Sequence, residues 1–188
     1  QIEDTIYMCG YASGVLAKLV INQSWTAETF YDGQIHHLSA TTNPKLIGYW
    51  RSETTAGFHE AQKLIQLDNG IIASGGNEIR TGATTSIGGY DPATGAFWGL
   101  NRDSIYGLNF SDIVAYQKYV LFSTNSTGNV GTAKLFWYDS EEKTLTDSSD
   151  FGFSSYGKIY VFGCQLIGVA STRLYKINLS TKQLIYNY

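Results

Sequence analysis

Charged residues are scarce in this sequence. They make up 15% of its 188 residues, against about a quarter in an average soluble domain, and the formal net charge is −3. Lys and Arg form no cluster, so the basic surface with which proteins bind nucleic acid is missing. The sequence also lacks an apolar run of roughly 18 residues, which a membrane-spanning helix needs. We therefore expect no nucleic-acid partner and no membrane span.

Proline and methionine are rare as well, with two and one residues, whereas the sequence has 20 Gly, 14 Tyr and 4 Trp. Aromatic and β-branched side chains suit a pleated sheet, while Gly, Asn, Asp and Ser suit the turns between strands. The composition predicts an all-β protein without long helices. A chain of this length suffices for one well-cored domain or for an array of small repeated sheets.

Only two cysteines occur, Cys9 and Cys164, each within an apolar stretch. Buried thiols that act as small hydrophobic side chains are the simpler interpretation. A disulfide that joins the two ends of a closed ring is the alternative. A structural zinc site needs more ligands than two cysteines, and no Cys-x-x-Cys spacing is present.

The clearest local pattern is a β-hairpin at Ala133–Thr146, in which an apolar strand runs into Asp139 and a polar turn leads to a second strand. Two segments align with it without gaps, Gly89–Trp98 and Lys176–Ile185. The alignment places Asp91, Asp139 and Asn178 at one turn position. These residues are 48 and 39 positions apart, close to the period of four-stranded propeller blades.

We therefore predict an all-β, propeller-like array of about four to five four-stranded antiparallel units. It occupies residues 1–188 as a single domain, either complete or part of a longer chain. Strands are expected at Thr5–Ala12, Val15–Asn22 and Trp25–Tyr31, on both sides of Asp68-Asn69-Gly70 and of Gln117-Lys118, and in a last unit made of Phe151–Tyr156, Ile159–Gly163, Arg173–Asn178 and Gln183–Tyr188. The glycine-rich segment Gly75–Gly82 is expected to be a loop or a strained connection.

The turn sequences carry a family resemblance. A strand that ends in Tyr-Asp and turns through Thr-Gly or Thr-Lys occurs best at Tyr90–Gly95, and in part at Tyr138-Asp139 and Ser180–Lys182. Over roughly residues 60–188 this pattern resembles the β-propeller superfamily, although no Trp-Asp dipeptide is present. The resemblance implies a propeller fold that serves as a scaffold for binding. It does not imply a particular function.

No catalytic or metal-binding constellation is evident. His36 and His37 point to opposite faces of a strand, and His59 lies in no metal-binding motif. Acidic pairs could serve acid-base catalysis, and the candidates include Asp32, Glu53, Glu60, Glu78, Asp103 and Asp112. We expect no catalytic residue, no metal and no cofactor, and an enzyme is the less favoured interpretation.

The aromatic surplus is the one feature that points to binding. Trp25, Trp50, Trp98, Tyr49 and Tyr90 fall at strand ends, where exposed rings would offer platforms for sugars or protein partners. The alternative is that these rings pack between blades.

The favoured function is a non-catalytic interaction or assembly module, a structural or adhesive component of an extracellular or virion assembly similar to a phage tail. Its partner is another protein or a second copy. Four Asn-x-Ser/Thr sites are consistent with secretion. Two alternatives stay open, a glycan-binding or glycan-cleaving propeller and an intracellular protein-binding scaffold.

Overall fold

A computed structural model describes residues 4–9, 15–21, 23, 45–49, 62–77, 85–100, 108–126, 132–170 and 172–187. These residues form fifteen strands. Their bounds are β1 Thr5–Cys9, β2 Val15–Val20, β3 Lys45–Tyr49, β4 Lys63–Gln66, β5 Ile72–Asn77, β6 Thr85–Asp91, β7 Ala96–Gly99, β8 Leu108–Tyr116, β9 Tyr119–Ser126, β10 Leu135–Asp139, β11 Thr144–Ser149, β12 Ile159–Phe162, β13 Gln165–Ala170, β14 Arg173–Asn178 and β15 Gln183–Asn187. Within these ranges no helix long enough to cross a membrane is present.

The strands form four sheets in chain order, which we call blades 1 to 4. Blade 1 contains β1–β3, and blades 2, 3 and 4 contain β4–β7, β8–β11 and β12–β15. Every strand pairs antiparallel with the next strand of its own blade. The prediction of an all-β, propeller-like array of four-stranded antiparallel units is confirmed.

The three aligned hairpins are confirmed together with their turn chemistry. Asp91 Oδ1 accepts a hydrogen bond from Ala93 N at 2.9 Å, and Asp139 Oδ1 accepts one from Glu141 N at 3.0 Å. Asn178 takes the same role, with Oδ1 2.9 Å from Ser180 N. Side chains of this length can bond the backbone two residues later, which favours the turn over continued strand.

The fourth residue after each of these turn positions has a left-handed backbone. It is Gly95 with φ 75°, Lys143 with φ 54° and Lys182 with φ 57°. Glycine adopts this region without steric cost, whereas lysine does so only under strain. The two lysines therefore occupy a position where the hairpin geometry favours glycine.

Blade 3 lies between two cores, which explains why every residue of β10 is buried. Phe136 and Tyr138 point into the core shared with blade 2, while Leu135 and Trp137 point into the core shared with blade 4. Alternate side chains of a strand face opposite sides of its sheet. An uninterrupted apolar strand is thus the signature of a blade with a neighbour on each face.

The predicted strands of the last unit were partly wrong. Its first two strands are Ile159–Phe162 and Gln165–Ala170, joined by Gly163 and Cys164, and Phe151–Tyr156 contributes only an isolated bridge at Ser155. The aromatic residues Phe151, Phe153 and Tyr156 suggested a strand there, and Phe153 and Tyr156 are indeed buried. Their rings fill the core between blades 3 and 4 from an irregular segment.

The predicted loop at Gly75–Gly82 was also partly wrong, since β5 continues to Asn77. A β-carbon added at Gly75 would lie 2.2 Å from Cε2 of Phe110, which belongs to blade 3. Glycine is needed here because an aromatic ring from the next blade lies directly on the strand. Residues 78–82 lie outside the described ranges.

The N-terminal strand predictions were confirmed in part. Val15–Val20 is a strand as predicted, and it pairs with β1 and with β3, while Trp25–Tyr31 lies outside the described residues.

Cys164 is an exposed thiol in the β12–β13 turn, so the prediction that both thiols are buried was wrong. Cys9 is half-buried and forms no disulfide with Cys164.

Candidate functional site

Blade 4 has one covered face and one open face. Ile159, Leu166, Tyr175 and Ile177 pack into the core shared with blade 3. The side chains that alternate with them point to the other side of the sheet, which we call the outer face. Five of its apolar members are exposed, at 63% for Tyr160, 75% for Phe162, 44% for Val169, 47% for Leu174 and 50% for Ile185.

The outer face of blade 4 corresponds, position by position, to the face with which blade 3 contacts blade 4. The turn alignment places Leu174 where blade 3 has Leu135. Cross-strand pairing extends the correspondence across the sheet: the row Tyr160, Ile167, Lys176 matches the row Val114, Leu121, Trp137. The three residues of the blade 3 row lie in or against the core with blade 4.

The backbones of the two blades match as well. Both hairpins also share a register irregularity at the same place, between Trp137 and Tyr138 in blade 3 and between Lys176 and Ile177 in blade 4. The same backbone therefore presents corresponding positions in both blades. Leu135 of blade 3 is covered by the next sheet, whereas its counterpart Leu174 in blade 4 is 47% exposed.

A second candidate is a cleft of about 280 Å³ between blades 3 and 4. Three aromatic side chains and four others line it, namely Tyr116, Tyr119, Trp137, Gln117, Leu179, Ser180 and Lys182. Nζ of Lys182 lies 5.4 Å from the Trp137 ring centroid and 2.8 Å from Asp147 Oδ2. The hydrogen bond from Lys182 lowers the pKa of Asp147, and the two side chains form an ion pair.

Asp112, a candidate acid from the sequence, is buried and holds neighbouring blades together. It lies on β8 with a 2% exposed side chain, and its carboxylate accepts hydrogen bonds from Lys63 Nζ at 2.9 Å and from Ile159 N at 3.0 Å. These partners belong to the first strands of blades 2 and 4. The carboxylate therefore ties three blades together. The other five candidate acids lie outside the described residues, and the described part of the chain contains no group of three potential metal ligands.

Two buried phenols near this region are hydrogen-bonding groups. Burial raises the pKa of Tyr156 to about 12, and burial likewise raises the pKa of Tyr175. The Tyr175 hydroxyl donates a hydrogen bond to the Tyr156 carbonyl oxygen at 2.9 Å. Both side chains therefore stay protonated at neutral pH and stabilise the packing of blade 4.

The structure places two of the five predicted binding residues. Trp98 is 8% exposed and stacks on Tyr138 of blade 3, with 4.8 Å between ring centroids. Tyr90 is also 8% exposed and packs in the core shared with blade 1. They therefore lie on opposite faces of blade 2 and do not form one site.

The other three predicted residues are not placed. Trp25, Trp50 and the side chain of Tyr49 lie outside the described part of the chain, so a binding role for the predicted set stays a prediction. Sequence reasoning missed Tyr160 and Phe162. Their alternation with Ile159 and Val161 was a signal for a strand with two apolar faces.

No protein family model matches the sequence, and no curated protein matches it significantly. Solved propeller structures do match. The Dos1 propeller aligns at a TM-score of 0.63 and 12% identity, over 98% of this chain and 43% of that one. BamB from Moraxella catarrhalis aligns at 0.55 and 14%, over 98% and 49%. PorZ, an essential bacterial surface component of the type-IX secretion system of Porphyromonas gingivalis, aligns at 0.59 and 10%, over 98% and 25%.

These alignments confirm the resemblance to β-propellers. At 10% to 14% identity they establish the likeness of the fold alone. The chain spans less than half of each of the three matched structures.

Proposed function

We propose that this chain is a non-catalytic assembly module that associates with further copies of itself through the outer face of blade 4. The observation that carries the proposal is the exposure of Tyr160 and Phe162, at 63% and 75%, on a face whose counterpart in blade 3 is a packing interface. Soluble proteins rarely leave contiguous apolar side chains of this size in water unless they meet a partner.

The proposed setting is an extracellular or virion assembly. The low charge, the four Asn-x-Ser/Thr sites and the abundance of Gly, Ser, Thr, Asn and Tyr support it. One of the matched structures, PorZ, is a bacterial surface component, which agrees with this setting. The role would be structural or adhesive, with the blades acting as a rigid body.

The assembly role is tested by the solution mass of the purified chain, measured by light scattering from micromolar to near-millimolar concentration. We expect species above the 20.8 kDa of one chain. The double variant Tyr160→Ser, Phe162→Ser should remain at that mass. The matched control is Phe97→Ser, because Phe97 is an apolar side chain of blade 2 with 36% exposure. Wild-type chain that stays at 20.8 kDa throughout, or a double variant that assembles like wild type, contradicts the proposal.

A second candidate function is glycan binding in the cleft between blades 3 and 4. Aromatic rings with a few polar groups are the usual lining of a sugar site, and the volume of about 280 Å³ is near the small end of ligand sites. Because Lys182 is neutralised by Asp147, a neutral sugar suits the cleft better than a charged one. Glycan-array binding that is lost in Gln117→Ala and Ser180→Ala supports this function, and an array without signal contradicts it.

A further inference from the structure

We infer that the cleft between blades 3 and 4 binds an N-acetylated sugar, whose acetamido carbonyl oxygen accepts a hydrogen bond from the indole N–H of Trp137. The inference rests on the second proposed function, glycan binding, and it names the class of sugar and the group that recognises it. It does not depend on the outer face of blade 4.

The two joints of blade 3 differ in how their turns meet. At the joint with blade 2, Asn69 in the β4–β5 turn donates a hydrogen bond from Nδ2 to Ser140 Oγ at 3.0 Å. The turn alignment places Leu179 where blade 3 has Ser140, and the backbone N–H of each bonds the first turn of its own blade. A leucine side chain cannot accept a hydrogen bond. The cleft of about 280 Å³ lies beside Leu179, and Gln117, from the blade 3 turn that corresponds to the turn of Asn69, also lines it.

Trp137 places a buried hydrogen-bond donor in the wall of the cleft. It is 1% exposed, and its Nε1 has no hydrogen-bond partner within the described part of the chain. A buried N–H without an acceptor is unfavourable, and a ligand oxygen at this point removes that cost. A carbonyl oxygen suits such a donor better than a hydroxyl, because it brings no O–H that needs a partner of its own.

The other lining residues fit the rest of such a sugar. Leu179 offers an apolar contact to the acetamido methyl group, and the half-buried rings of Tyr116 and Tyr119 offer faces to the C–H groups of the sugar ring. Gln117 and Ser180 are exposed at the cleft, where their side chains can bond sugar hydroxyl groups.

Lys182 covers the indole ring. Its Nζ lies 5.4 Å from the Trp137 ring centroid and 2.8 Å from Asp147 Oδ2, and both members of this ion pair are more than a third exposed. An exposed ion pair contributes little to stability, so the lysine can turn toward water when a ligand enters. Because each charge already has a partner, the cleft favours a ligand without net charge, as an acetamido sugar is.

The test is a titration of the ¹⁵N-labelled chain with N-acetylglucosamine, followed by the indole N–H signals of its four tryptophans. The Trp137 signal is assigned by its loss in Trp137→Phe, which keeps an aromatic ring in the core. We expect this signal to move downfield on binding, since a hydrogen bond deshields the proton. Trp137→Phe should bind about tenfold more weakly, as the loss of one hydrogen bond predicts. Trp98→Phe is the matched control at another buried tryptophan and should bind like wild type.

Glucose, which lacks the acetamido group, separates this inference from glycan binding in general. We expect glucose to bind at least tenfold more weakly than N-acetylglucosamine. If glucose binds as tightly, or if the Trp137 signal does not move while the sugar binds, the inference is wrong and glycan binding stands. No response to either sugar also overturns the inference, and the glycan array then decides the function. The comparison of the two sugars uses wild type alone, so a variant that fails to fold leaves it intact.

Discussion

The carboxylate that joins three blades offers the sharpest test of how the blades are held together. Replacing Asp112 by Ala removes the acceptor for Lys63 Nζ on blade 2 and for Ile159 N on blade 4, which lie 2.9 and 3.0 Å away. It also removes the acceptor for the backbone N of Ile113 at 2.9 Å. We expect a large loss of stability, because the side chain is almost fully buried.

The size of the expected loss of stability depends on whether each hydrogen-bond donor can find another acceptor once the carboxylate is removed. Lys63 has a 38% exposed side chain, so its ammonium can turn to water at small cost. The N–H of buried Ile159 has no such escape, and a buried donor without an acceptor costs about 1–3 kcal/mol. Adding the N–H of Ile113, also buried, gives an expected loss of about 2–6 kcal/mol. Asp112→Asn keeps one acceptor oxygen and should lose roughly half as much.

The assay is urea unfolding at pH 7, followed by circular dichroism and by tryptophan fluorescence. Asp91→Ala is the matched control, because Asp91 is a turn carboxylate that bonds only within its own hairpin. It should lose about 1 kcal/mol or less. If Asp112→Ala unfolds within about 0.5 kcal/mol of Asp91→Ala, the carboxylate does not tie the blades together and this reasoning fails.

Two further predictions concern the hairpin turns. Lys143→Gly should raise the free energy of unfolding by about 0.5–1 kcal/mol, because glycine relieves the left-handed strain at φ 54°, whereas Lys143→Ala keeps a β-carbon and should give no gain in the same urea assay. Burial would raise the pKa of Asp139, but hydrogen bonds from Lys118 and from the turn backbone outweigh it and lower the pKa. A lowered folded pKa stabilises the fold above the unfolded value of about 3.9, so Asp139→Asn should cost about 1 kcal/mol at pH 7 and progressively less as the pH falls below about 4. A pH-independent difference between wild type and Asp139→Asn would contradict this.

The hairpins were predictable because their chemistry is local. Asp91, Asp139 and Asn178 each bond a backbone N–H two residues later, and this interaction depends on nothing outside the turn. The strands of blade 4 were harder to predict. Phe151 and Phe153 alternate like strand residues, yet they lie in or against the core from an irregular segment because blade 3 supplies their neighbours. Sequence patterns report that a side chain is buried more reliably than they report the backbone that carries it.

The sequence predicted the type of side chain at the candidate site but not the residues that form it. Aromatic residues were expected to matter, and exposed aromatic residues do lie at the outer face, but Trp98 and Tyr90 are buried while Tyr160 and Phe162 are exposed. All four side chains lie on β-strands. What separates them is whether another blade lies against them, which is decided by the order of the sheets in space.

The outer face of blade 4 could be a joint that packs against another sheet or a cap that faces water, and Lys176 is the residue that bears on the choice. A terminal repeat that ends an array in water needs a polar outer face. Blade 4 has Lys176 where blade 3 has the core residue Trp137, which by itself would suit a cap. The surrounding positions contradict that interpretation, since Phe162, Leu174 and Ile185 are apolar and about half exposed or more. A single lysine can extend its ammonium to the rim of an interface while its methylene chain packs against apolar neighbours. The outer face of blade 4 is therefore better explained as a joint with a charged rim than as a finished surface.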